Sequence, residues 1–106
     1  MDINDIKQRI IQLRALLKKN RIRGDVFILY GSFATGTSRV DSDIDIAVVS
    51  RDFGGDRFSE GSSLNYFATQ IDPRIEAVPV SLDEYLSRSS ISPLLHEINT
   101  KGIVLL

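Results

Sequence analysis

A turn of small residues and a pair of aspartates stand at the ends of two consecutive predicted strands in the middle of the chain. The sequence there reads Tyr30-GSFATGTSRVDSDIDIAVV-Ser50, with ten residues between Ser32 and Asp43. The run VFILY before Gly31 is apolar and rich in β-branched and aromatic residues, which predicts a buried strand. A second strand begins at Asp43, and its consecutive apolar residues AVV indicate that both of its faces are covered. The two strands therefore bring the turn and the aspartates to one end of a sheet.

The rest of the chain predicts the elements that complete this sheet. Apolar residues at three- and four-residue steps predict an amphipathic helix over residues 3–20. Pro79 places a third strand at a sheet edge or near a strand end. The other predicted elements are a loop with one helical turn at 31–42, a polar loop at 51–60, helices at 61–71, 81–88 and 92–100, and strands at 74–81 and 103–106. The last helix is predicted to start with Ser92 as its N-cap and proline at its first position. We expect residues 1–106 to form a single α/β (α+β) domain, with a small mixed sheet of three to four strands flanked by helices.

Composition excludes several classes of site. The chain contains no cysteine and one histidine, His96, which excludes disulfides, thiolate zinc sites, cysteine nucleophiles and histidine-rich metal sites. No apolar run approaches the roughly 20 residues that a membrane-spanning helix needs. The first residues lack the apolar stretch of a signal peptide. We therefore expect a cytoplasmic protein that does not associate with membranes.

Charge is distributed unevenly along the chain although its net value is only −1. Residues 1–23 carry seven basic and two acidic side chains, whereas residues 24–106 carry six basic and twelve acidic ones. Such an asymmetry is typical of a basic helix that meets an acidic partner or a polyanion. The alternative is a solvated helix face, which is the more common origin of such a charge pattern. The low net charge argues against direct binding to nucleic acid. The sequence is compatible with homo- or hetero-oligomers.

Asp43 and Asp45 form a pattern suited to a hard divalent cation. Because successive strand side chains alternate between faces, these two carboxylates point the same way, about 6–7 Å apart. Like charges at this distance repel each other unless a cation lies between them. Magnesium is bound in proteins by one or two carboxylates together with substrate phosphates. The alternative is that Asp43 is a turn residue and Asp45 lies on a solvated strand edge.

The turn at Gly31 and Ser32 favours the functional reading. A backbone without a Cβ approaches phosphate oxygens closely, and backbone amides together with the Ser32 hydroxyl are suited to hydrogen-bond them. Arg39 and Ser42 lie in the following loop, where they could contact the phosphates or face solvent. The stretch is not a P-loop, because no lysine follows the glycines. A tight turn without a ligand remains the alternative for Gly31 and Ser32.

The string LYGSFATGTSRVDSDIDIAVV resembles the signature of the polymerase-β-like nucleotidyltransferase superfamily. The short chain and its ending, HEINTKGIVLL, resemble the minimal nucleotidyltransferases found beside HEPN-domain proteins in toxin–antitoxin pairs. The resemblance implies the nucleotidyltransferase fold, with Asp43 and Asp45 coordinating two Mg²⁺ ions that bridge the triphosphate of ATP. It implies phosphate binding by Gly31 and Ser32. Glu76 takes the position of the third catalytic and metal-binding carboxylate, where members more commonly carry aspartate.

The resemblance also implies an activity and leaves alternatives to it. The implied reaction transfers a nucleoside monophosphate, most simply AMP from ATP, to a hydroxyl group of a partner HEPN toxin, so that the chain acts as an antitoxin. A second reading is a non-catalytic antitoxin or regulatory subunit with weak nucleotide binding. A third is a small-molecule nucleotidyltransferase that inactivates an antibiotic, although such enzymes usually carry an additional helical domain.

Overall fold

The computed structural model describes residues 1–87 and 92–106, which form one four-stranded sheet with five helices around it. The elements in chain order are α1 (Ile3–Lys19), β1 (Val26–Tyr30), α2 (Ser32–Thr35), β2 (Ile44–Ser50), α3 (Arg57–Ile71), β3 (Ile75–Ser81), α4 (Leu82–Ser87), α5 (Pro93–Lys101) and β4 (Ile103–Val104). This arrangement confirms the predicted mixed sheet flanked by helices.

The strand order explains the apolar character of each strand. The order is β3-β2-β1-β4, with β1 antiparallel to both β2 and β4, and β2 parallel to β3. β2 therefore has a neighbour on each side, and its residues Ile46 to Val49 are fully buried, as the apolar run predicted. β3 lies at an edge, where Pro79 costs no ladder hydrogen bond.

One face of the sheet is covered by α1 and α3. The residues of α1 that face the sheet are Ile6, Ile10, Leu13 and Leu17, and all four are buried. Leu64 and Ala68 of α3 are buried in the same cluster, together with alternate residues of β2. Burial of each such leucine or isoleucine contributes roughly 1.5–3 kcal/mol. Asp2 and Asp5 form a capping box at the start of α1.

The opposite face is covered by α4 and α5. Its buried residues include Ala47 and Val49 of β2, Tyr30 of β1, and Leu95 and Ile98 of α5. The start of α5 was predicted correctly: the Ser92 hydroxyl accepts a hydrogen bond from the amide of Leu95. This second layer is thinner than the first, and Asp45 and Glu76 lie on the same face of their strands as its residues.

The helices predicted over 61–71 and 81–88 have other bounds in the structure. The helix predicted over 61–71 begins earlier, at Arg57, because the Asp56 side chain caps it by accepting from the amide of Phe58 at 3.1 Å. The helix predicted over 81–88 runs from Leu82 to Ser87, and its expected end at residue 88 lies outside the described residues. In the described ranges, no helix combines the length and apolar character needed to cross a membrane.

Candidate functional site

Asp45 lies near the start of β2, between a tyrosine and a glutamate on the neighbouring strands. Its Cα is paired with that of Tyr30 on β1 and with that of Glu76 on β3. Paired residues on adjacent strands lie about 5 Å apart with their side chains on the same face. Asp43 precedes Ile44, the first residue of β2. The register thus brings together the two strands that carry the predicted carboxylates.

Burial and neighbouring carboxylates both act on the pKa of Asp45. Burial has the largest effect, the negative charges of Glu76, Asp43 and Glu97 follow in that order, and together they raise the pKa of Asp45 to about 6. Burial also raises the pKa of Tyr30, again with contributions from Asp45 and Glu76. The site is therefore a region of concentrated negative charge that favours the binding of a proton or another cation.

No cationic side chain neutralises this cluster in the described part of the chain. The ion pairs there involve the arginines at positions 9, 23, 51, 57 and 74, and none of them contacts Asp43, Asp45 or Glu76. A structural carboxylate in a protein is normally satisfied by an arginine, a lysine or backbone amides. Three neighbouring carboxylates without such a partner are suited to a divalent cation.

Gly31 packs directly against the Asp45 carboxylate. Its φ is +71° and its ψ is −153°, a backbone conformation that is essentially restricted to glycine. A Cβ placed on Gly31 would overlap the Asp45 side chain. The Gly31 carbonyl accepts hydrogen bonds from the amides of Ala34 and Thr35, which starts α2. The glycine therefore lets the turn after β1 lie close to the acidic cluster.

Ser32, Arg39 and Ser42 are the other predicted phosphate-binding residues. Ser32 is the first residue of α2 and is half-buried. The Ser42 hydroxyl accepts a hydrogen bond from the Arg39 amide at 2.7 Å, so it stabilises a turn of the loop. The Arg39 side chain is exposed. Contact of these three residues with a nucleotide stays a prediction.

Glu76 is exposed, and the backbone beside it is fixed by an asparagine that the sequence reasoning did not identify. The Asn65 side chain accepts from the amide of Ala77 at 2.9 Å and donates to the carbonyl of Ala77 at 2.7 Å. It also donates to the carbonyl of Gly61. This side-chain amide thus pairs with the outer edge of β3 as another strand would. No local sequence pattern marks Asn65, because its partner lies twelve residues away.

Glu97 is the second residue near the site that the sequence pattern did not identify. It lies on α5, is half-buried, and its charge acts on both Asp45 and Tyr30. Its position between the apolar residues Leu95 and Ile98, on a helix predicted to cover the sheet, was the available signal. Helical periodicity alone did not indicate which end of the sheet this helix covers.

The fit of magnesium to these residues rests on the chemistry of the donors. Among residues 1–87 and 92–106, no three His, Cys, Asp or Glu side chains converge into a metal-binding group. The backbone nevertheless places Asp45 beside Glu76, and carboxylates change direction by rotation about χ1 and χ2. An all-carboxylate donor set of hard oxygens fits magnesium. The metal ligands Asp43, Asp45 and Glu76 therefore stay predictions that the donor chemistry supports.

Comparison with known proteins identifies a family and several similar structures. The family model "Polymerase beta, Nucleotidyltransferase" matches residues 10–106. A chain from the crystal structure of a toxin–antitoxin with AMP-PNP is 30% identical, with a TM-score of 0.57, over 94% of this chain and 72% of that chain. A chain from the toxin–antitoxin complex MntA-HepT is 26% identical, with a TM-score of 0.50, over 94% and 68%. No curated protein sequence matches significantly.

A third similar structure concerns the fold alone. It contains a tri-AMPylated Shewanella oneidensis HEPN toxin in complex with MNT antitoxin. The matching chain is 24% identical to this one, with a TM-score of 0.52, and the match covers 98% of this chain and 71% of that chain. The four-stranded sheet with its flanking helices is therefore an arrangement that solved structures share.

Proposed function

Since the chain belongs to the polymerase beta nucleotidyltransferase family, we propose that it transfers AMP from ATP to a hydroxyl group of a partner protein, a HEPN-domain toxin. The observation that carries this proposal is the cluster of Asp43, Asp45 and Glu76, which lies beside the Gly31 turn without a cationic partner in the described residues. We likewise propose that residues 1–106 form one nucleotidyltransferase domain.

Each group of the site has a role in this reaction. Gly31 and Ser32 bind phosphates of ATP. Because Gly31 has no Cβ, the backbone of this turn lies close to the acidic cluster, where the triphosphate is placed. Arg39 and Ser42, in the following loop, are secondary candidates for the same phosphates. Asp43, Asp45 and Glu76 would hold two magnesium ions. These ions would neutralise negative charge on the triphosphate and on the departing pyrophosphate.

The chemical step is an in-line displacement at the α-phosphorus of ATP. The acceptor hydroxyl oxygen forms a bond to phosphorus, the bond between phosphorus and the bridging oxygen of pyrophosphate breaks, and pyrophosphate leaves with the electron pair. Glu76 accepts the proton of the attacking hydroxyl. Its exposed position at the sheet edge leaves it open to a hydroxyl group that arrives on another molecule.

The similar structures support the nucleotide and the partner. One was solved with AMP-PNP, an ATP analogue, and both of those at or above 25% identity are toxin–antitoxin structures. Because both are toxin–antitoxin structures, we infer that a partner protein presents the acceptor hydroxyl. ATP specificity and a HEPN toxin as the acceptor are inferred for this chain on that basis.

The direct experiment uses ATP labelled at the α-phosphate. The chain is incubated with magnesium, labelled ATP and the protein encoded beside its gene, which we expect to be a HEPN-domain protein, in parallel with the variant Asp43→Ala/Asp45→Ala. We expect label on the partner with the wild type and none with the variant. Label that persists with the variant would refute the role of the aspartates.

A non-catalytic antitoxin is the second candidate, favoured by the lack of a preformed metal-binding group among the described residues. In that case the chain and its partner form a tight complex, yet neither sample carries label. Titration calorimetry with Mg²⁺ and ATP then separates the two readings without any acceptor. Binding that requires Asp43 and Asp45 supports the transferase, whereas no binding supports the non-catalytic antitoxin.

A further inference from the structure

A groove runs along the exposed side of α1, away from the candidate site. It has a volume of about 460 Å³ and is lined by residues of α1 and of the segment that leads into β1. We call it the basic groove, and its lining residues are Ile11, Arg14, Ala15, Lys18, Arg23, Gly24 and Asp25. Five of these seven residues belong to residues 1–23, the part of the sequence with a strong excess of basic side chains.

The floor of the basic groove is apolar although the helix does not need those residues for its core. The buried stripe of α1 consists of Ile6, Ile10, Leu13 and Leu17. Ile11 lies outside this stripe and is 37% exposed, and Ala15 is exposed one turn further along. An exposed isoleucine beside an alanine gives a partner an apolar surface to cover.

The charges around the groove are not balanced by the protein itself. Arg23 is paired with Asp52 at 2.9 Å, and Asp25 is paired with Arg51 at 2.8 Å, so that wall is neutral. Arg14 and Lys18 make no ion pair in the described ranges. They are four residues apart on one helix, which places their side chains about 6 Å from each other along the groove.

The basic groove and the candidate site lie at opposite ends of β1. Gly24 and Asp25 precede the strand, whereas Gly31 follows it, and the five residues of β1 span about 16 Å. A partner held in the groove would therefore leave the carboxylates and the Gly31 turn uncovered. Docking and transfer would then be separable by mutation.

We propose that the basic groove docks an acidic amphipathic segment of the protein partner. Aspartates or glutamates four residues apart on that segment would pair with Arg14 and Lys18, and an apolar side chain between them would cover Ile11. This inference rests on the proposed function, because it assumes a protein acceptor. Charged residues at such a rim contribute mainly to the rate and specificity of association.

The groove fits a protein better than a nucleic acid. Its lining contains no aromatic side chain on which a base could stack. Arg14 and Lys18 would neutralise only two phosphates, whereas the acidic remainder of the chain, with six basic and twelve acidic side chains in residues 24–106, would repel a longer polyanion. An acidic peptide segment needs only the local positive charge.

The test is a charge reversal with a matched control. Binding to the protein encoded beside the gene, the partner assumed in the proposed function, is measured by calorimetry for the wild type, for Arg14→Glu/Lys18→Glu, and for Lys19→Glu/Lys101→Glu. Both variants change the net charge equally, and both remove a lysine from the last turn of α1, yet Lys19 and Lys101 lie outside the groove. All measurements are repeated in the Asp43→Ala/Asp45→Ala background, where binding does not depend on catalysis.

We expect the Kd to rise at least about tenfold in Arg14→Glu/Lys18→Glu and less than about threefold in the control. We also expect added salt to weaken wild-type binding more than that of Arg14→Glu/Lys18→Glu. Equal Kd values for the two variants, no complex with the wild type, or a labelled oligouridylate that binds only when Arg14 and Lys18 are present would each overturn the proposal. If the complex forms but no label is transferred, the docking inference stands and the proposed reaction fails.

Discussion

Two aspartates of this protein, Asp72 before β3 and Asp45 in β2, are both shielded from solvent but differ in their partners. The Asp72 carboxylate accepts hydrogen bonds from Arg74 and Arg9, each at 2.9 Å, and the pKa of Asp72 is lowered to about 2, chiefly by Arg74. Asp45 is surrounded by other carboxylates, and its pKa is raised to about 6. Asp72 ties α1 to the start of β3, whereas the raised pKa of Asp45 means that its ionised form is disfavoured in the folded protein.

These two carboxylates show how structural charge can be told from functional charge. A carboxylate that serves the fold has its counter-charge supplied by the same chain, and its pKa is low. A carboxylate kept beside other carboxylates has a raised pKa, which is characteristic of sites that bind or react. The sequence identifies both residues only as aspartates, and it does not indicate the pKa of either.

The largest expected effect is the loss of transfer on substitution of Asp45. Asp45→Asn removes a proposed metal ligand, and we expect the rate of AMP transfer to fall at least about 1000-fold, or about 4 kcal/mol in activation free energy. Because the substitution also relieves repulsion, the midpoint of thermal unfolding should not fall. Asp83→Asn, on the exposed first turn of α4, is the control. If Asp45→Asn kept its activity, Asp45 would not be a residue of the active site.

A smaller loss of activity is expected for Gly31→Ala. The new methyl group would overlap the Asp45 carboxylate and strain a backbone with φ of +71°. We expect transfer to fall about 100-fold. Gly36→Ala is a close control, since Gly36 also has a positive φ, +76°, but nothing lies within 4 Å of its added Cβ. Equal activity losses in both variants would mean that strain in the turn matters and the contact with Asp45 does not.

Removal of Asp72 should affect stability instead of activity. Asp72→Ala leaves Arg9 and Arg74 without their shared partner, and we expect the free energy of unfolding to fall by about 2–3 kcal/mol. Asp52→Ala breaks a more exposed pair with Arg23 and should lower the free energy of unfolding less than Asp72→Ala does. Urea denaturation at neutral pH measures both values. If the two variants lost similar free energies of unfolding, burial of Asp72 would not strengthen its ion pairs.

Stability should also fall in acid because of Asp72. Its folded pKa of about 2 lies below its ordinary value of 3.8, so its contribution is full above about pH 5 and is lost as the pH falls towards 2. The shift corresponds to about 2 kcal/mol. Denaturation curves of the wild type and Asp72→Asn between pH 7 and pH 2 should converge in acid. A constant difference between them across this range would contradict the lowered pKa.

The smallest expected effect concerns the support of Glu76 by Asn65. Asn65→Ala removes two hydrogen bonds to Ala77 at the edge of β3, which should cost about 1–2 kcal/mol of stability and speed hydrogen exchange of the Ala77 amide. Asn65→Asp retains an acceptor for that amide and should recover part of its protection. Gln70→Ala, on the same helix but bonded only to its own helix carbonyl, is the control.

Much of the fold was predictable because its patterns are local. The buried stripe of α1, the apolar run of β1, the covered strand β2 and the Ser92 cap of α5 all follow from residues within a few positions of one another. The start of α3 was wrong by four residues, because the cap at Asp56 was read as part of a polar loop. Caps made by a single aspartate are weak signals in a stretch rich in glycine and serine.

The site was predicted only in part, and its residues remain predictions. The spacing of Gly31 and Ser32 from Asp43 and Asp45 was sufficient to indicate a phosphate and metal site, since both pairs adjoin strands that the sequence identifies. Asn65 and Glu97 could not be assigned, because their partners on the strands are distant along the chain.

Short-range periodicity and residue type were enough to predict the helices and strands, and to predict which carboxylates lie next to a glycine turn. The parallel pairing of β2 with β3, which sets Glu76 beside Asp45, and the contacts of Arg9 and Arg74 with Asp72 became visible only in the folded chain. The pKa of a carboxyl group depends on the distances to other charges in space, whereas the sequence gives only their order along the chain. The pKa of each aspartate is therefore set by how the strands and helices pack.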